Sequence, residues 1–525
     1  MRAFYVECSA PFWRTVAQTL AREAGIVPVY WTGLMRYADD LRGDFPDLVY
    51  HDCIRAKYSL PELADDRLPR VGWTSEMESI WNEEAQAVYD MMSRFDFNKQ
   101  FSFEERRRYF RRVLCYWTAV VDEFRPEILI FPNPPHTAYD YVLYAICRKR
   151  GVETVMFDEA AIYRRYKLNL TLRDIESGDE DLRSTYQTLL DQDDGSPVVL
   201  SPEVAQYLAD LRRDYGVARP IGEKLVDVDS LERSTWRYQK AYARHLWNMF
   251  HRDWLEYRGR VPVDRTWLTS CYKQFDRLLE DSFTEPFSRI RFEHQQWYWR
   301  RRAKRRKAEY ESLCRRPDAE RPFVYVALAG QPERTSNPQG GCFTDQTLMV
   351  RQLSEAVPRD WQVLVKEHPN QFNEVFLGHM CRSQTFYRDL AAMPNVRLLP
   401  PHESPFQWMD RAQAVATIAG TTGWEAVVRG VPALTFGAAW YRDCEGVFSA
   451  TTFFQCRDAL ERIRGGYRVD RHKVDLFVRA AELSCFEGLA DPLPHWWTGL
   501  TDEENGERIA RRILRVTANS ASVVG

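Results

Sequence analysis

The stretches Trp361-Gln-Val-Leu-Val-Lys-Glu-His-Pro369 and Ala414-Val-Ala-Thr-Ile-Ala-Gly-Thr-Thr-Gly-Trp-Glu-Ala426 decide the fold, the second running on through Gly430 and Pro432 to Ala433-Leu-Thr-Phe436. Ala414 to Ala419 is short, apolar and bounded by glycine, as in a strand buried on both faces of a parallel sheet. Gly420 permits a sharp turn and close backbone approach. Thr421 or Thr422 then caps a helix that runs past Trp424 and Ala426 to Gly430, a suitable residue just past a helix end. Such a helix aims its first N–H groups and its positive dipole end at the crevice. Gly420, Thr421, Thr422 and Gly423 therefore form a candidate phosphate cradle, and Glu425 in the first turn can accept hydrogen bonds from a ribose. In the first stretch Pro369 stops the strand, leaving Lys366 and His368 on one side of it. A cation and a titratable imidazole there can neutralise a phosphate and protonate it as it leaves.

Outward from these stretches the strand–loop–helix unit repeats. Phe323-Val-Tyr-Val-Ala-Leu328 opens the pattern, and Gln331 to Gly341 is a long polar loop placed to meet a nucleotide or sugar. Thr344 can cap a helix that carries Met349, Leu353 and Val357 on one face. Strands expected at 323–328, 362–366, 396–399, 414–419 and 433–436 alternate with helices, which implies a mostly parallel sheet. No Gly-x-Gly-x-x-Gly fingerprint or Walker loop occurs, which disfavours dinucleotide and ATP chemistry.

The first third repeats the theme. Strands are expected at 2–8, 26–31, 127–131 and 152–157, with long helices over 74–95 and 103–124. The opening β-α-β unit should cross over right-handed. Ligands in open α/β sheets sit outside the carboxyl ends of strands. That places His136 and Tyr139 after one strand, and Asp158 and Glu159 after the next, at a candidate site. Asp158 or Glu159 can act on a sugar as nucleophile or general base. Arg164 and Arg165 can grip a carboxylate or phosphate of an acceptor.

Between the two α/β regions the chain is helical and polar. Trp297–Lys307 interleaves aromatic and basic residues, a composition that suits an anionic membrane surface. The whole chain has 525 residues, 45% hydrophobic and 28% charged, with a net charge of −3. That balance gives no general attraction for nucleic acid. The 11 cysteines show no Cys-x-x-Cys and no paired histidine spacing, so reduced thiols are expected and zinc is not. Aromatic residues make up 14% of the chain, and most are assigned to packing. No apolar run approaches the roughly 20 residues needed to span a bilayer, and the first residues do not read as a signal peptide.

Gln331-Pro-Glu333, Gly340-Gly341, Lys366-Glu-His-Pro369, Gly420-Thr-Thr-Gly-Trp-Glu-Ala426 and Phe436-Gly-Ala-Ala-Trp-Tyr441 resemble the bacterial capsular polysaccharide biosynthesis family, known best from its Kdo transferases. The resemblance is dense over about Phe323 to Phe448 and thinner over the first third. It implies a GT-B glycosyltransferase with two Rossmann-like domains facing a cleft and a helical insertion between them. The expected divisions are 1–175, 176–321, 322–480 and 481–525, the last segment returning to the first domain. It also implies a CMP-activated acidic sugar, most readily CMP-Kdo, bound by Gln331, Lys366, His368, Pro369, the Gly420–Gly423 turn and Glu425. His136, Tyr139, Arg164 and Arg165 would face a glycan or lipid-linked acceptor. No metal and no cofactor besides the donor is expected, and the location would be cytoplasmic, with peripheral attachment at the membrane's inner face. The rival readings are a CDP-glycerol-type polyol-phosphate transferase and a non-catalytic scaffold of a capsule assembly complex.

Overall fold

The structure, a computed structural model, describes residues 1–57, 59–63, 67–93, 102–163, 167–213, 288–318, 320–331, 333–372, 378, 381–491 and 500–523. The first domain contains strands β1 (Arg2–Tyr5), β2 (Val27–Gly33), β3 (Val49–Asp52), β4 (Ile128–Phe131), β5 (Glu153–Tyr163) and β6 (Lys167–Leu172). The second contains β7 (Phe323–Ala327), β8 (Gln362–Lys366), β9 (Val396–Leu398), β10 (Ala414–Thr417), β11 (Ala433–Thr435) and β12 (Val447–Ser449). A short β13 (Phe486–Glu487) returns the chain to the first sheet.

The sheet orders are β13-β6-β5-β4-β1-β2-β3 and β12-β11-β10-β7-β8-β9. Neighbours are parallel throughout the second sheet; in the first, only β6 runs antiparallel to its partners. Each sheet grows one way from its first strand and then resumes on the other side. The reversal falls between β1 and β4 in the first domain and between β7 and β10 in the second. Crevices at such switch points are where doubly wound sheets hold ligands. Both sheets are buried on both faces. Phe4 and Leu129 pack into one core cluster, whereas Ala3, Tyr5, Ile128 and Ile130 pack into another with Trp13, Val16 and Leu20.

Several local expectations shift by physical detail. The helix expected over 74–95 divides into Ser75–Ile80 and Asn82–Met92, with Trp81 between them. Helix Phe103–Phe124 forms as expected, opened by a Ser102/Glu105 capping box. Gly420, not a threonine, is the N-cap of helix Thr421–Arg429, and Gly430 ends it with φ +89°. Asp345, not Thr344, caps helix Gln346–Ala356 by accepting from Thr347 N–H. Strand β3 escaped the pattern because it buries His51, whose ring is held by Tyr30 Oη at 2.9 Å and the Leu60 carbonyl at 2.9 Å. Strand β6 pairs as a hairpin with the far end of β5, which runs well past its expected end at 157.

The connecting region is bound into both domains. Helix Glu180–Asp191 packs on helix Arg471–Ser484, where Tyr186 meets Phe477 edge-on at 5.2 Å. In helix Pro202–Leu211, Tyr207 Oη donates to the Ala161 carbonyl of β5 and receives the Trp424 indole N–H at 3.1 Å. Helix Ser288–Leu313 belongs with the second sheet rather than with an independent insertion. Its Tyr310 hydroxyl donates to Leu399 O at 2.7 Å and accepts from Glu367 N–H at 3.0 Å. Within the basic-aromatic stretch, Ala303 and Arg306 face inward, and Arg306 donates to the Gln384 carbonyl at 2.8 Å. The side chains of 288–300 lie outside the described residues.

The last helix, Asp502–Val523, closes the molecule on the first domain. Thr501 and Glu504 exchange hydrogen bonds of 2.9 and 3.1 Å at its start, forming a capping box. Ile509, Ala510 and Ile513 bury against Val16, Ala17 and Leu20 of helix Phe12–Ala24. Gly506 permits the approach, since a Cβ there would lie 2.7 Å from Phe12 O. Arg512 fixes the crossing through Thr171 at 2.6 Å and Asp181 at 2.8 Å. Two Rossmann-like domains, bridged by helices and re-crossed by the C-terminal helix, make the GT-B-like arrangement. No helix among the described residues is long and apolar enough to cross a membrane.

Candidate functional site between two switch points

In the second domain the loop after β7 lies between the end of β8 and the start of helix Thr421–Arg429. Gly340 and Gly437 seat this loop. A Cβ on Gly340 would lie 2.4 Å from Ser336 O, and one on Gly437 2.4 Å from Gln339 O. Across the loop, the helix start carries no side-chain cap, so its first N–H groups address the crevice. Tyr441 fixes that start by donating to Gly420 O at 2.6 Å, and Gly423 makes room, because a Cβ there would lie 2.2 Å from the tyrosine oxygen. Thr421 is exposed and Thr422 half-buried, as a cradle requires. Glu425 is 7% exposed and close to Tyr441, whose pKa is raised by burial and then by that carboxylate. It is thus buried in this helix, beside the tyrosine that fixes the helix start.

On the other flank, His368 is half-buried at the end of β8, and Pro369 begins a 3-10 turn, Pro369–Phe372. Asn370 N–H donates to His368 Nδ1 at 3.2 Å. A backbone N–H can only donate, so Nδ1 carries the lone pair and Nε2 the proton. The ring held this way offers an N–H rather than a second proton. Lys366 is buried, 5% exposed, at the strand end.

Glu367, between them, points into the domain and explains why the loops hold their shape. Arg382 donates to both its oxygens at 2.9 and 3.1 Å, to Ala329 O at 3.0 Å and to Gln331 Oε1 at 2.7 Å, with its guanidinium 4.5 Å from the Phe386 ring centre. Tyr387 adds a bond to Glu367 at 2.8 Å, and Glu367 in turn accepts His368 N–H at 2.7 Å. Burial disfavours the guanidinium's charge, but Glu367 outweighs it and holds its pKa above the ordinary value. One buried ion pair therefore ties the loop after β7 to the loop after β8. Gln331 belongs to this frame: its amide donates to Thr344 O at 2.6 Å and accepts from Arg382.

The first domain faces this crevice with dispersed residues. A cavity of about 220 Å³ is lined by Pro132, Asn133, His136, Glu159 and Asn169, with Arg334 reaching in from the second domain. His136 Nδ1 lies 2.9 Å from Pro134 O, and its backbone N–H donates to Asp140 at 3.0 Å. Asp158, adjoining the cavity, is engaged across the domain boundary: Arg334 donates to it at 2.7 Å and Gln339 at 2.8 Å. Of the two acids left open by sequence, Glu159 lines the cavity and Asp158 clasps the domains. Tyr139 is fully buried and donates to Glu7 at 2.6 Å, so it cannot contact an acceptor as expected. Arg164 and Arg165 lie outside the described residues.

Sequence reading missed Glu7, Arg334 and Arg382. Glu7 stands at the carboxyl end of β1, on the first domain's switch point, with φ +61°, a conformation costly for a residue with a Cβ. Its carboxylate meets Lys57 at 3.0 Å, and Thr32 receives its N–H at 2.8 Å. Nothing in the local sequence pairs residues 7, 32, 57 and 139; the sheet order does.

Residues 293–459 match the sequence model of a family described as capsule polysaccharide biosynthesis protein. That span contains the His-Pro loop and the Gly-Thr-Thr-Gly helix start. No curated protein matches the chain by sequence. Solved structures similar to it include the calicheamicin glycosyltransferase CalG4, 13% identical over 98% of both chains with a TM-score of 0.21. Another is the KpsC beta Kdo 2,7 transferase of Thermosulfurimonas dismutans, 12% identical over 42% of this chain and 62% of that one, with a TM-score of 0.23. A third is the UDP-GlcNAc 2-epimerase of Methanocaldococcus jannaschii, 11% identical over 92% of this chain and all of that one, with a TM-score of 0.24.

Proposed function

We propose that the protein is a glycosyltransferase of capsular or surface polysaccharide synthesis, moving an acidic sugar, most directly Kdo, from a CMP-activated donor to a glycan or lipid-linked acceptor. The observation that carries this reading is the meeting of two switch-point crevices at one loop. Residues 330–341 touch the His368 side, the Gly420 side and the first domain's cavity together. The family match over 293–459 supports the capsule context.

In this reading the donor phosphate rests on the N–H groups and hydroxyls at Thr421 and Thr422. His368 Nε2–H donates a hydrogen bond to it. As the bond from anomeric carbon to phosphate breaks, negative charge builds on the phosphate, and fixed donors stabilise it without giving up a proton. A nucleoside monophosphate is already a competent leaving group, so the neutral imidazole inferred from Asn370 suits the task. Glu159 faces the sugar, where a carboxylate stabilises the positive charge developing at the anomeric centre. The Asp158–Arg334–Gln339 clasp holds the cleft shut and excludes water that would hydrolyse the donor.

The test is to incubate the protein with CMP-Kdo, a second CMP-linked acidic sugar and CDP-glycerol, each with candidate acceptors, and to follow nucleotide release and acceptor extension. CMP release coupled to acceptor extension is expected. Turnover of CDP-glycerol alone would replace the reading with polyol-phosphate transfer, and polymer synthesis that survives His368→Ala would replace it with a scaffold.

A further inference from the structure

We infer that the open groove lined by Trp73, Asn82, Arg107 and Arg111 on the first domain holds an acidic glycan, as the run of acceptor sugars behind the one that receives the transferred residue; the inference deepens the transferase reading above. The first support is the groove's chemistry. Arg107 and Arg111 lie four residues apart on helix Phe103–Phe124 and therefore share one face of it. Both reach Glu78, Arg107 at 2.6 Å and Arg111 at 2.5 Å, and the Trp73 indole N–H adds a third donor at 2.8 Å. Desolvation opposes the Glu78 charge, yet the bonds from Arg111, Arg107 and Trp73 outweigh it and hold its carboxyl below the ordinary range. The groove thus already stabilises one carboxylate, and two cations do so, which leaves positive charge in excess. Each guanidinium has five N–H donors and meets Glu78 through one nitrogen, so the pair can take a second carboxylate. Arg111 lies 5.1 Å from the Trp73 ring centre and Phe110 meets the ring edge-on at 6.2 Å, which fixes the indole. That half-buried ring offers an apolar face to a sugar's C–H groups, and Ser75, Ser79 and Asn82 beside it offer partners for hydroxyls.

The second support is placement. Tyr109, between the two arginines, donates to Lys57 O at 3.2 Å, and Lys57 meets Glu7 just past β1. The arginine-bearing turns therefore stand on the crevice side of the first domain. Helix Asn82–Met92 marks the path inward. Asn82 lines the groove, and Ala87 O of the same helix accepts from Asn337 of the joining loop at 3.3 Å. Five helical residues span about 7.5 Å, so the groove begins close to the loop that carries Arg334 into the cavity beside Glu159. The third support is size. At about 690 Å³ the groove has about three times the volume of that 220 Å³ cavity, as a chain of sugars behind a terminal one requires. A concave lining suits a glycan strand better than a membrane surface, which meets a protruding face.

The experiment titrates the full chain by calorimetry with hexamers of galacturonic acid and of sialic acid. Maltohexaose is the neutral control, and vesicles of equal parts phosphatidylglycerol and phosphatidylcholine test the membrane alternative. Wild type is compared with Trp73→Ala, with the double variant Arg107→Gln/Arg111→Gln and with Glu78→Gln. Expected is binding of an acidic hexamer that weakens with added salt and falls about tenfold in Trp73→Ala and in the double variant. Glu78→Gln removes the carboxylate that competes for both arginines and should tighten that hexamer about threefold, a gain no folding defect produces. Absence of acidic-hexamer binding in wild type overturns the inference, as does equal binding of maltohexaose or an affinity unchanged in all three variants. Vesicle binding that the double variant abolishes, without hexamer binding, would make the groove a membrane contact instead. The titrations need no donor and no turnover. A wild-type protein that transfers from no CMP-sugar, yet binds the hexamer in this groove, overturns the parent reading and the acceptor role while keeping the glycan site.

Discussion

The two crevices occupy equivalent places in sheets of corresponding strand order, yet they are made of different material. The one at β7 and β10 is mostly backbone: a helix start, close-packed glycines and a tight histidine loop, braced from below by the Arg382–Glu367 pair. The one at β1 and β4 is mostly side chains gathered from residues 7, 32, 57, 136 and 159, with a neutral histidine, His51, buried on β3 at the sheet's edge. A phosphate is common to every activated donor, and backbone N–H groups suffice to hold it. An acceptor differs from one enzyme to the next, and side chains on variable loops are what can follow it. Both are braced by charge, the second domain's crevice by the fully buried Arg382–Glu367 pair and the first's by the half-buried Lys57–Glu7 pair.

The sharpest way to break this contrast is at the brace. Arg382→Met leaves Glu367 buried without its cation, and denaturant unfolding should show a loss of about 3–5 kcal/mol, together with loss of CMP binding. A variant that stays stable and still binds CMP would show that the pair does not set the loops. Next in size is His368→Ala. Removing one fixed donor to the departing phosphate should lower kcat by about 10²- to 10³-fold in steady-state assays while the fold persists. If activity survived, the donor side would have been misassigned.

The first domain should in turn be the acid-sensitive one. Burial lowers the His51 pKa to about 3, below its ordinary 6.5, against a smaller opposing effect of the Leu60 carbonyl. Below pH 6.5 the unfolded chain binds a proton there that the native state refuses. Stability should therefore fall as pH drops from 6.5 towards 3, by up to about 1.4 kcal/mol per pH unit. Thermal melts of wild type and His51→Gln across that range should diverge, and parallel curves would refute the point. The smallest effect belongs to the clasp. Asp158→Asn removes the charge that meets Arg334, a partly exposed partner, so about 1 kcal/mol is expected, read as a roughly fivefold rise in donor KM. A loss of turnover beyond about a thousandfold would instead make Asp158 a group that acts on the sugar.

The same division explains what could be read before folding. Gly420, Thr421 and Gly423 lie within a few residues of one another and His368 lies two residues past the end of its strand, so the strand period and helix-start chemistry that place them are local. Glu7 and Arg382 gave no such signal. Glu7 looks like any acid after a strand until its φ of +61° and its contacts with Lys57 and Tyr139 are known. Arg382 looks like a surface arginine until it is found 2% exposed. Tyr139 misleads in the opposite sense: its chemistry suits a ligand, but its hydroxyl is buried and spent on Glu7.

By itself the sequence determined the alternation of strands and helices, the parallel character of the second sheet, the turn at Gly420 and the end of the following helix at Gly430. The tertiary structure alone decided which strand lies beside which, and hence that residues 7 and 136 border one crevice, that Glu159 rather than Asp158 lines the cavity, and that the loop at 330–341 joins both domains. The reason is physical. Backbone periodicity and capping act over a few residues, whereas strand order and domain closure are set by how whole apolar faces bury against each other, which no short window of residues contains.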